Sequence, residues 1–302
     1  MVYLKKYLSF FKRLLLTFIF SKKLKYLRFF CGGWKGRYKF SFSERWLGAK
    51  ICVYGYDSGV TERTIFSDNN FDLIKVDKVN LFTKKVFKPG ELTYLYKETF
   101  LPFRKNPHSY ETDFIKIEKD DVVIDAGACE GFFSFLALRN KASKIYLFEP
   151  FDDFKKGLEK TFSKEIVENK VEVINMALSK VSGKVSFDID KEYLCAAALC
   201  EYGKVQVRTT SLDEFVSQNN FDRIDFIKMD IEGSEIDAIK GAEETIKKFR
   251  PKLSIAVYHE YENAEKIKKL LSDFNVGYKI RFGGCYMFEK PYRPFMLYAY
   301  IK

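Results

Sequence analysis

The sequence predicts an α/β fold in which a mostly parallel sheet carries helices on both faces, preceded by an N-terminal extension. Three observations carry that expectation. From Asp120 onward, short apolar runs alternate with helix-length stretches, the pattern that builds a parallel sheet. Residues Val122 to Phe135 read VVIDAGACEGFFSF, a buried-strand run that stops at Asp125 and turns through Gly127 and Gly131 into a helical pattern. One strand–helix unit later, Lys144 to Pro150 reads KIYLFEP and sets Glu149 at the tip of a second run.

The 302 residues divide on this reading into a basic amphipathic segment 1–44, an accessory β-rich region 45–110 and a main domain 111–302. Tyr3 to Phe20 is strongly apolar, but Lys5, Lys6, Lys12 and Arg13 interrupt it, whereas a spanning helix needs about 20 largely uncharged residues. On a helix, Leu4, Leu8, Phe11, Leu15 and Phe18 share one face, and Lys5, Lys6, Ser9, Lys12 and Arg13 gather toward the other. Basic residues continue at Lys22, Lys23, Lys25 and Arg28, interleaved with Tyr26, Phe29, Phe30 and Trp34. This composition suits peripheral contact of residues 1–30 with an anionic lipid surface. It equally suits an amphipathic helix packed on its own domain or on a dimer partner, and the two alternatives stay open, as does the oligomeric state. No small-residue cleavage site follows Phe20, so the segment is not read as a signal peptide.

Residues 1–50 hold 13 Lys and Arg against the single acid Glu44, a balance of +12, while residues 51–302 hold 39 against 40, or −1. Reading nucleic acid needs a basic face on the main domain to neutralise phosphates, so the near-neutral remainder argues against a nucleic-acid partner and for a small or uncharged one. The 31 Phe and 19 Tyr exclude disorder over most of the length. Cys31, Cys52, Cys129, Cys195, Cys200 and Cys285 form no Cys-x-x-Cys pair, and the only histidines are His108 and His259, so no metal-ligating set is expected. Scattered thiols suit a reducing cytoplasm, at the inner face of the membrane if residues 1–30 bind lipid.

In the accessory region, apolar runs at Lys50–Tyr54 and Phe71–Val76 alternate with turn signals at Ser58-Gly59, Asn69-Asn70 and Pro89-Gly90. In the main domain we expect strands near 121–126, 144–149, 171–175, 224–230 and 252–257. Helices are expected near 131–140, 151–162, 211–218, 233–249 and 262–274. Lys184–Asp188 and Lys204–Arg208 alternate like an inserted hairpin.

The turn after Asp125 has the form of a nucleotide-binding turn, and Glu149, 24 residues on, is placed to accept hydrogen bonds from two ribose hydroxyls. Cys129 occupies the middle position where a dinucleotide fingerprint needs glycine, and no Gly-Lys-Ser/Thr follows for a phosphate loop. Asp125 would repel a pyrophosphate but attract a cationic amino-acid moiety, which moves the preference to S-adenosyl-L-methionine.

Five blocks then occur in order: VVIDAGACEGFFSF, YLFEP, VINMALS from Val173, TTSLDEF from Thr209 and FIKMDIEGSE from Phe226. Together they resemble the FkbM-type family of S-adenosylmethionine-dependent methyltransferases over roughly Glu111 to the C-terminus. The resemblance implies a Rossmann-like class I methyltransferase fold with a seven-stranded sheet, its last strands near Tyr278–Arg281 and Phe295–Ile301 pairing antiparallel at one edge. It places the donor in a turn of Asp125, Gly127, Ala128, Cys129, Glu130, Gly131 and Phe132, with Glu149 and Pro150 at the ribose and Asn175, Met176 and Ala177 against the adenine. The family commonly has Asn at the position of Cys129. A packed thiol is the simpler reading of this cysteine, since no histidine signature lies nearby.

Asp230 and Glu232 follow a strand at the edge where ligands bind in open α/β sheets, one acid available to the donor sulfonium and one to an acceptor hydroxyl. His259 ends the next strand and is suited to take a proton near neutral pH, with Asp230 as its rival for that role. His108, in a loop before the core, receives no role. The leading functional expectation is an O-methyltransferase acting on a hydroxyl of a sugar or lipid-linked glycan. The alternatives are another small-molecule or protein acceptor, and a non-catalytic, membrane-attached binding module of the same fold.

Overall fold

The computed structural model describes residues 22–27, 31, 36–56, 59–85, 87–188, 198–199 and 205–301. The expectations on Tyr3–Phe20, Arg28, Phe29, Phe30, Trp34, Cys195 and Cys200 lie outside the described residues.

The accessory region opens with helix α1 (Phe42–Tyr54), so Lys50–Tyr54 is helical rather than a strand-like run. The reason lies upstream, in a reciprocal N-terminal cap. The Ser41 hydroxyl accepts from the Glu44 N–H at 3.2 Å while the Glu44 carboxylate accepts from the Ser41 N–H at 2.8 Å. Strands β1 (Glu62–Ser67), β2 (Phe71–Val76) and β3 (Val79–Lys84) follow as an antiparallel sheet, and helix α2 (Glu91–Phe100) packs its Leu92 and Tyr96 against Val76, Val79 and Leu81.

The main domain runs β4 (Val122–Ala126), α3 (Phe132–Arg139), β5 (Lys144–Phe148), α4 (Asp152–Thr161), α5 (Ser163–Val167) and β6 (Val171–Ile174). It continues through four short strands, β7 (Ala177–Leu178), β8 (Gly183–Asp188), β9 (Ala198–Leu199) and β10 (Val205–Thr210), to α6 (Leu212–Gln218) and β11 (Phe226–Met229). Helices α7 (Glu235–Lys240) and α8 (Glu243–Phe249), strand β12 (Lys252–Ala256), helix α9 (Asn263–Asp273) and strands β13 (Lys279–Tyr286) and β14 (Arg293–Tyr300) complete it.

Seven of these strands form one sheet in the order β13-β14-β12-β11-β4-β5-β6. Strands β12, β11, β4, β5 and β6 are parallel, and β14 and β13 close the edge antiparallel. Because successive side chains alternate faces, β4 sends Ile124 into one core with Ile227, Ile255 and Leu297, and Val123 into the other with Ile145, Phe226 and Tyr298. Burial on both faces is why these strands read as unbroken apolar runs.

Two further expected elements differ. The helix expected over 233–249 is two helices, α7 and α8, broken at Gly241-Ala242. Asp213 of α6 causes the break by accepting from the Thr245 N–H at 2.7 Å and the Glu244 N–H at 3.1 Å, while its own N–H takes the Gly241 carbonyl at 2.9 Å. The inserted hairpin is part of a separate four-stranded sheet, order β7-β10-β8-β9, in which β10 pairs antiparallel with β8 and parallel with β7.

Candidate active site

The site begins where β4 ends. Gly127 sits at φ 79°, and a Cβ there would run into the Asp230 carbonyl, so only glycine lets β11's continuation cross so close. The turn is pinned to β5 by Gly127 and Ala128, whose N–H groups donate to the Phe148 carbonyl at 3.1 and 3.2 Å. Gly131, at φ 94°, starts α3, and a Cβ on it would meet the Phe162 ring at 2.8 Å.

Glu149 lies across this turn. Its Oε2 accepts from the Cys129 N–H at 3.0 Å and its Oε1 from the Phe151 N–H at 2.9 Å, one bond each, so each oxygen keeps acceptor capacity at a residue that lines the cavity. A carboxylate held by both ends at a parallel-strand tip is the acceptor geometry that a vicinal diol requires. Burial pushes Glu149 up to about 7 against the two backbone donors, and burial likewise pushes Glu130 up to about 7.

A cavity of ≈ 1090 Å³, counting the space open to solvent, runs from this turn to the tips of β11 and β12. Gly127, Ala128, Cys129, Glu130, Glu149, Pro150 and Ala177 line one end, and Asp230, Glu232, His108, Tyr110, Glu98 and Tyr258 line the other. A glycine turn that opens onto the cavity, a diol-binding carboxylate beside it and carboxylates at the far end fit a nucleoside bearing a positive charge.

Asp125 stands behind the turn, not on the wall. It is fully buried, accepts from the Ser134 hydroxyl at 2.7 Å and pairs with Lys228 Nζ at 3.0 Å. Lys228 faces Asp125 in the β11–β4 register and also donates to the Ala126 carbonyl at 3.2 Å, so the pair ties the turn to the next strand. Burial works against the Lys228 charge, but Asp125 and Asp230 outweigh it and raise the ammonium above its ordinary value. Phe132 also leaves the cavity, packing with Tyr96 and Phe100. Asn175 acts from outside by donating to the Glu149 and Pro150 carbonyls at 3.2 and 3.0 Å, and Met176 packs against the core.

At the far end, Asp230 is held by its Oδ2, which accepts from Tyr110 Oη at 2.7 Å and lies 3.3 Å from His108 Nε2. Its Oδ1 makes no hydrogen bond and lies 3.5 Å from His259 Nε2. That same nitrogen is 3.4 Å from Glu232 Oε2, while His259 Nδ1 is 3.2 Å from Glu235 Oε1. Glu235 is fully buried, and its Oε1 accepts from the Ile231 and Gly233 N–H groups. Glu232 reaches inward from a left-handed backbone position at φ 56°.

The electrostatics of this cluster oppose one another. Burial disfavours charge on His108 and His259, yet the carboxylates of Glu98 and Asp230 raise the first to about 10, and those of Glu235, Asp230 and Glu232 raise the second to about 9. Although burial works against its charge, the two imidazoles hold Asp230 well below the usual carboxylate range. Glu232 goes the other way, pushed by burial up to about 7 despite His259.

Sequence reasoning gave His108 no role, and the structure puts it on the wall with Tyr110. Its loop is held by Asn106, whose Oδ1 accepts from Tyr56 Oη and the His108 N–H at 2.9 Å each, and is tied to the sheet by Tyr298 of β14, which donates to the Ser109 carbonyl at 2.5 Å. No local pattern announces such a return. Lys228 did carry a signal, because a lysine inside a four-residue buried strand requires a buried anion in the neighbouring strand. His259 reaches the cluster as expected from its strand, but it sits behind Asp230 and Glu232 and does not line the cavity. No histidine-carboxylate spacing shows in the sequence because the three groups follow two different strands and meet only at the sheet edge.

Comparison with known proteins gives the same architecture. The model of the methyltransferase FkbM domain matches residues 125–280. The chain is 30% identical over 176 residues to the 2-O-methyltransferase NoeI of Sinorhizobium fredii, covering 49% of this chain and 67% of that protein. It is 24% identical to the hexuronic acid methyltransferase AglP of Haloferax volcanii, covering 56% of this chain and 71% of that one. The crystal structure of a methyltransferase FkbM from Methylobacillus flagellatus superposes with a TM-score of 0.50 at 20% identity, over 68% of this chain and 48% of that one, so the chain spans about half that protein's length. With the sheet order, the glycine turn and the paired strand-tip acids, these matches establish that the chain belongs to the FkbM methyltransferase family, whose cofactor is S-adenosylmethionine.

Proposed function

We propose that the protein methylates a hydroxyl of a neutral sugar within a glycan. The observation that carries this reading is the single cavity joining the Glu149 turn to the Asp230–Glu232 tip, which gives donor and acceptor one shared space. Both relatives described above are named for O-methylation or for methylation of a sugar acid, which supports an acceptor of this class. The wall here carries Glu98, Glu130, Glu149, Asp230 and Glu232 against Lys228 and His108, and this excess of carboxylates disfavours an anionic acceptor.

Bound in the turn, S-adenosylmethionine supplies a methyl group on a positively charged sulfur, which takes the bonding electron pair when the acceptor oxygen displaces it. The protein's task is therefore alignment and removal of one proton. Glu149 accepts the ribose hydroxyls, Asp125 and Lys228 hold the turn from behind, and Ala177 walls the base. Asp230, fixed by Tyr110 and His108, faces the sulfonium. Glu232 takes the hydroxyl proton, and His259 positions both acids. Phe133 and Tyr258 exclude water.

The test is incubation with donor and a panel of neutral and acidic oligosaccharides, followed by mass spectrometry for the gain of a methyl group. Glu232→Gln is expected to lower kcat about 10²–10⁴-fold with donor affinity retained. Absence of donor binding by calorimetry would sink the reading, and full turnover by His259→Ala would remove the positioning role.

A second reading concerns location. Among the described residues Leu24, Leu27, Phe42 and Trp46 are about half exposed or more, beside Lys22, Lys23 and Lys25, and no helix is long and apolar enough to cross a membrane. This apolar and basic surface supports peripheral contact with anionic lipid. Sedimentation with phosphatidylserine vesicles should fall on deletion of residues 1–30, and equal binding by both forms would end the idea.

A further inference from the structure

At the far end of the cavity Asp230, Glu232 and His259 converge more closely than proton transfer alone requires: one ligand atom from each lies within 4.8 Å of the others, with His259 Nε2 nearest Asp230 Oδ1 and Glu232 Oε2. We infer that these three atoms bind one divalent cation of the Mn2+ kind at the acceptor end of the cavity.

Four observations converge on it. First, His259 is nine-tenths buried, and neither its Nε2 nor the Oδ1 of Asp230 makes a hydrogen bond, so two buried polar atoms converge on the site without a hydrogen-bond partner. Second, the spacing suits an ion better than direct contact. Nε2 lies 3.5 Å from Asp230 Oδ1 and 3.4 Å from Glu232 Oε2, long for hydrogen bonds, whereas ligands about 2.1 Å from a shared ion stand roughly 3.0–3.4 Å apart. Third, the other nitrogen, Nδ1, faces Glu235 Oε1 at 3.2 Å, and that carboxylate is fixed by the backbone N–H groups of Ile231 and Gly233. A carboxylate behind the second nitrogen is the arrangement that orients a metal-bound imidazole. Fourth, four carboxylates, Glu98, Asp230, Glu232 and Glu235, surround the two imidazoles of His108 and His259, with the Lys228 ammonium beside Asp230, so with every carboxylate ionised the cluster keeps one surplus negative charge even when all three basic groups are protonated.

Two carboxylates with one imidazole form a mixed oxygen and nitrogen set, which suits Mn2+ better than the all-oxygen preference of Mg2+ or Ca2+. Asp230 and Glu232 line the cavity, so the remaining coordination positions face the acceptor. There the ion would lower the pKa of a bound hydroxyl and leave the second oxygen of Glu232 to take its proton. That use rests on the methyl-transfer reading, but the binding does not.

The test is titration of the metal-stripped full chain with MnCl2, without donor or acceptor, followed by loss of the free Mn2+ paramagnetic signal. One ion per chain is expected. Glu232→Gln, at a partly exposed residue, should weaken binding at least tenfold while melting like wild type without metal, and Glu235→Gln should weaken it about 10–100-fold through the imidazole. Absence of saturable binding by wild type up to millimolar Mn2+, or unchanged binding by both variants, overturns the site and leaves methyl transfer standing. Mn2+ binding by a protein that fails to bind S-adenosylmethionine overturns methyl transfer and leaves the site standing.

Discussion

Cys129 holds a left-handed backbone position at φ 46° inside the donor turn, a region that costs most L-residues about 1–2 kcal/mol and that Asn tolerates best among non-glycine residues. The asparagine that the family commonly places there is thus explained by backbone geometry as well as by any polar contact. Cys129→Asn is expected to raise stability by about 0.5–1 kcal/mol, read as a midpoint a few degrees higher in thermal unfolding. A lower midpoint would show that the thiol's packing outweighs the backbone gain. The Asp125–Lys228 pair makes the opposite case. Lys228→Met leaves the Asp125 carboxylate buried without its cation and should cost about 3–5 kcal/mol, whereas adding Asp125→Asn to it should recover much of that loss. Urea unfolding of the two variants decides the matter, and equal losses would mean that the pair does not act as a unit.

Elements were legible where one local cause dominates. The strands at 122–126, 144–148, 171–174, 226–229 and 252–256 are buried on both faces, so their continuous apolar runs show in the sequence, and the tips carrying Glu149, Asp230 and His259 follow from the same alternation. What was illegible depends on side chains arriving from elsewhere. Asp213 splits the 233–249 helix from a separate helix, a capping box upstream turns Lys50–Tyr54 helical, and the Asn106 and Tyr298 bonds bring His108 to a strand more than 100 residues away. Asp125 was placed on the right turn but on its far side, because a sequence does not show that Lys228 will satisfy it from the next strand. If Asp213 is the cause of the break, Asp213→Ala should destabilise by about 1 kcal/mol, the usual loss for an N-terminal cap. Amide exchange should speed up selectively at Glu244 and Thr245, and uniform acceleration over the domain would contradict a local cap.

At the scale of the whole molecule, the cavity stores charge that folding makes unfavourable, and stability must therefore vary with pH in a definite sense. Glu130 and Glu149 are raised from 4.5 to about 7 by burial, so between those values the folded state binds more protons than the unfolded state. The cost is absent below pH 4.5 and complete above about 7, at most about 3 kcal/mol for each group. His108 and His259, raised by neighbouring carboxylates, act in the same direction, since their stabilisation is full below 6.5 and is lost as pH climbs through about 9 and 10. Stability of the donor-free protein should consequently fall from pH 5 to pH 8. Glu149→Gln removes one contribution, so it should exceed wild type by about 1–3 kcal/mol at pH 8 and match it near pH 5. Donor binding should run the other way, because two ribose hydroxyls need the ionised carboxylate, and affinity should weaken by up to about tenfold for each pH unit below 7. Denaturant unfolding across this range, paired with calorimetric titration of S-adenosylmethionine, measures both. A stability that rises toward pH 8, or a donor affinity indifferent to pH in wild type, would mean that Glu149 is neither desolvated nor the ribose acceptor.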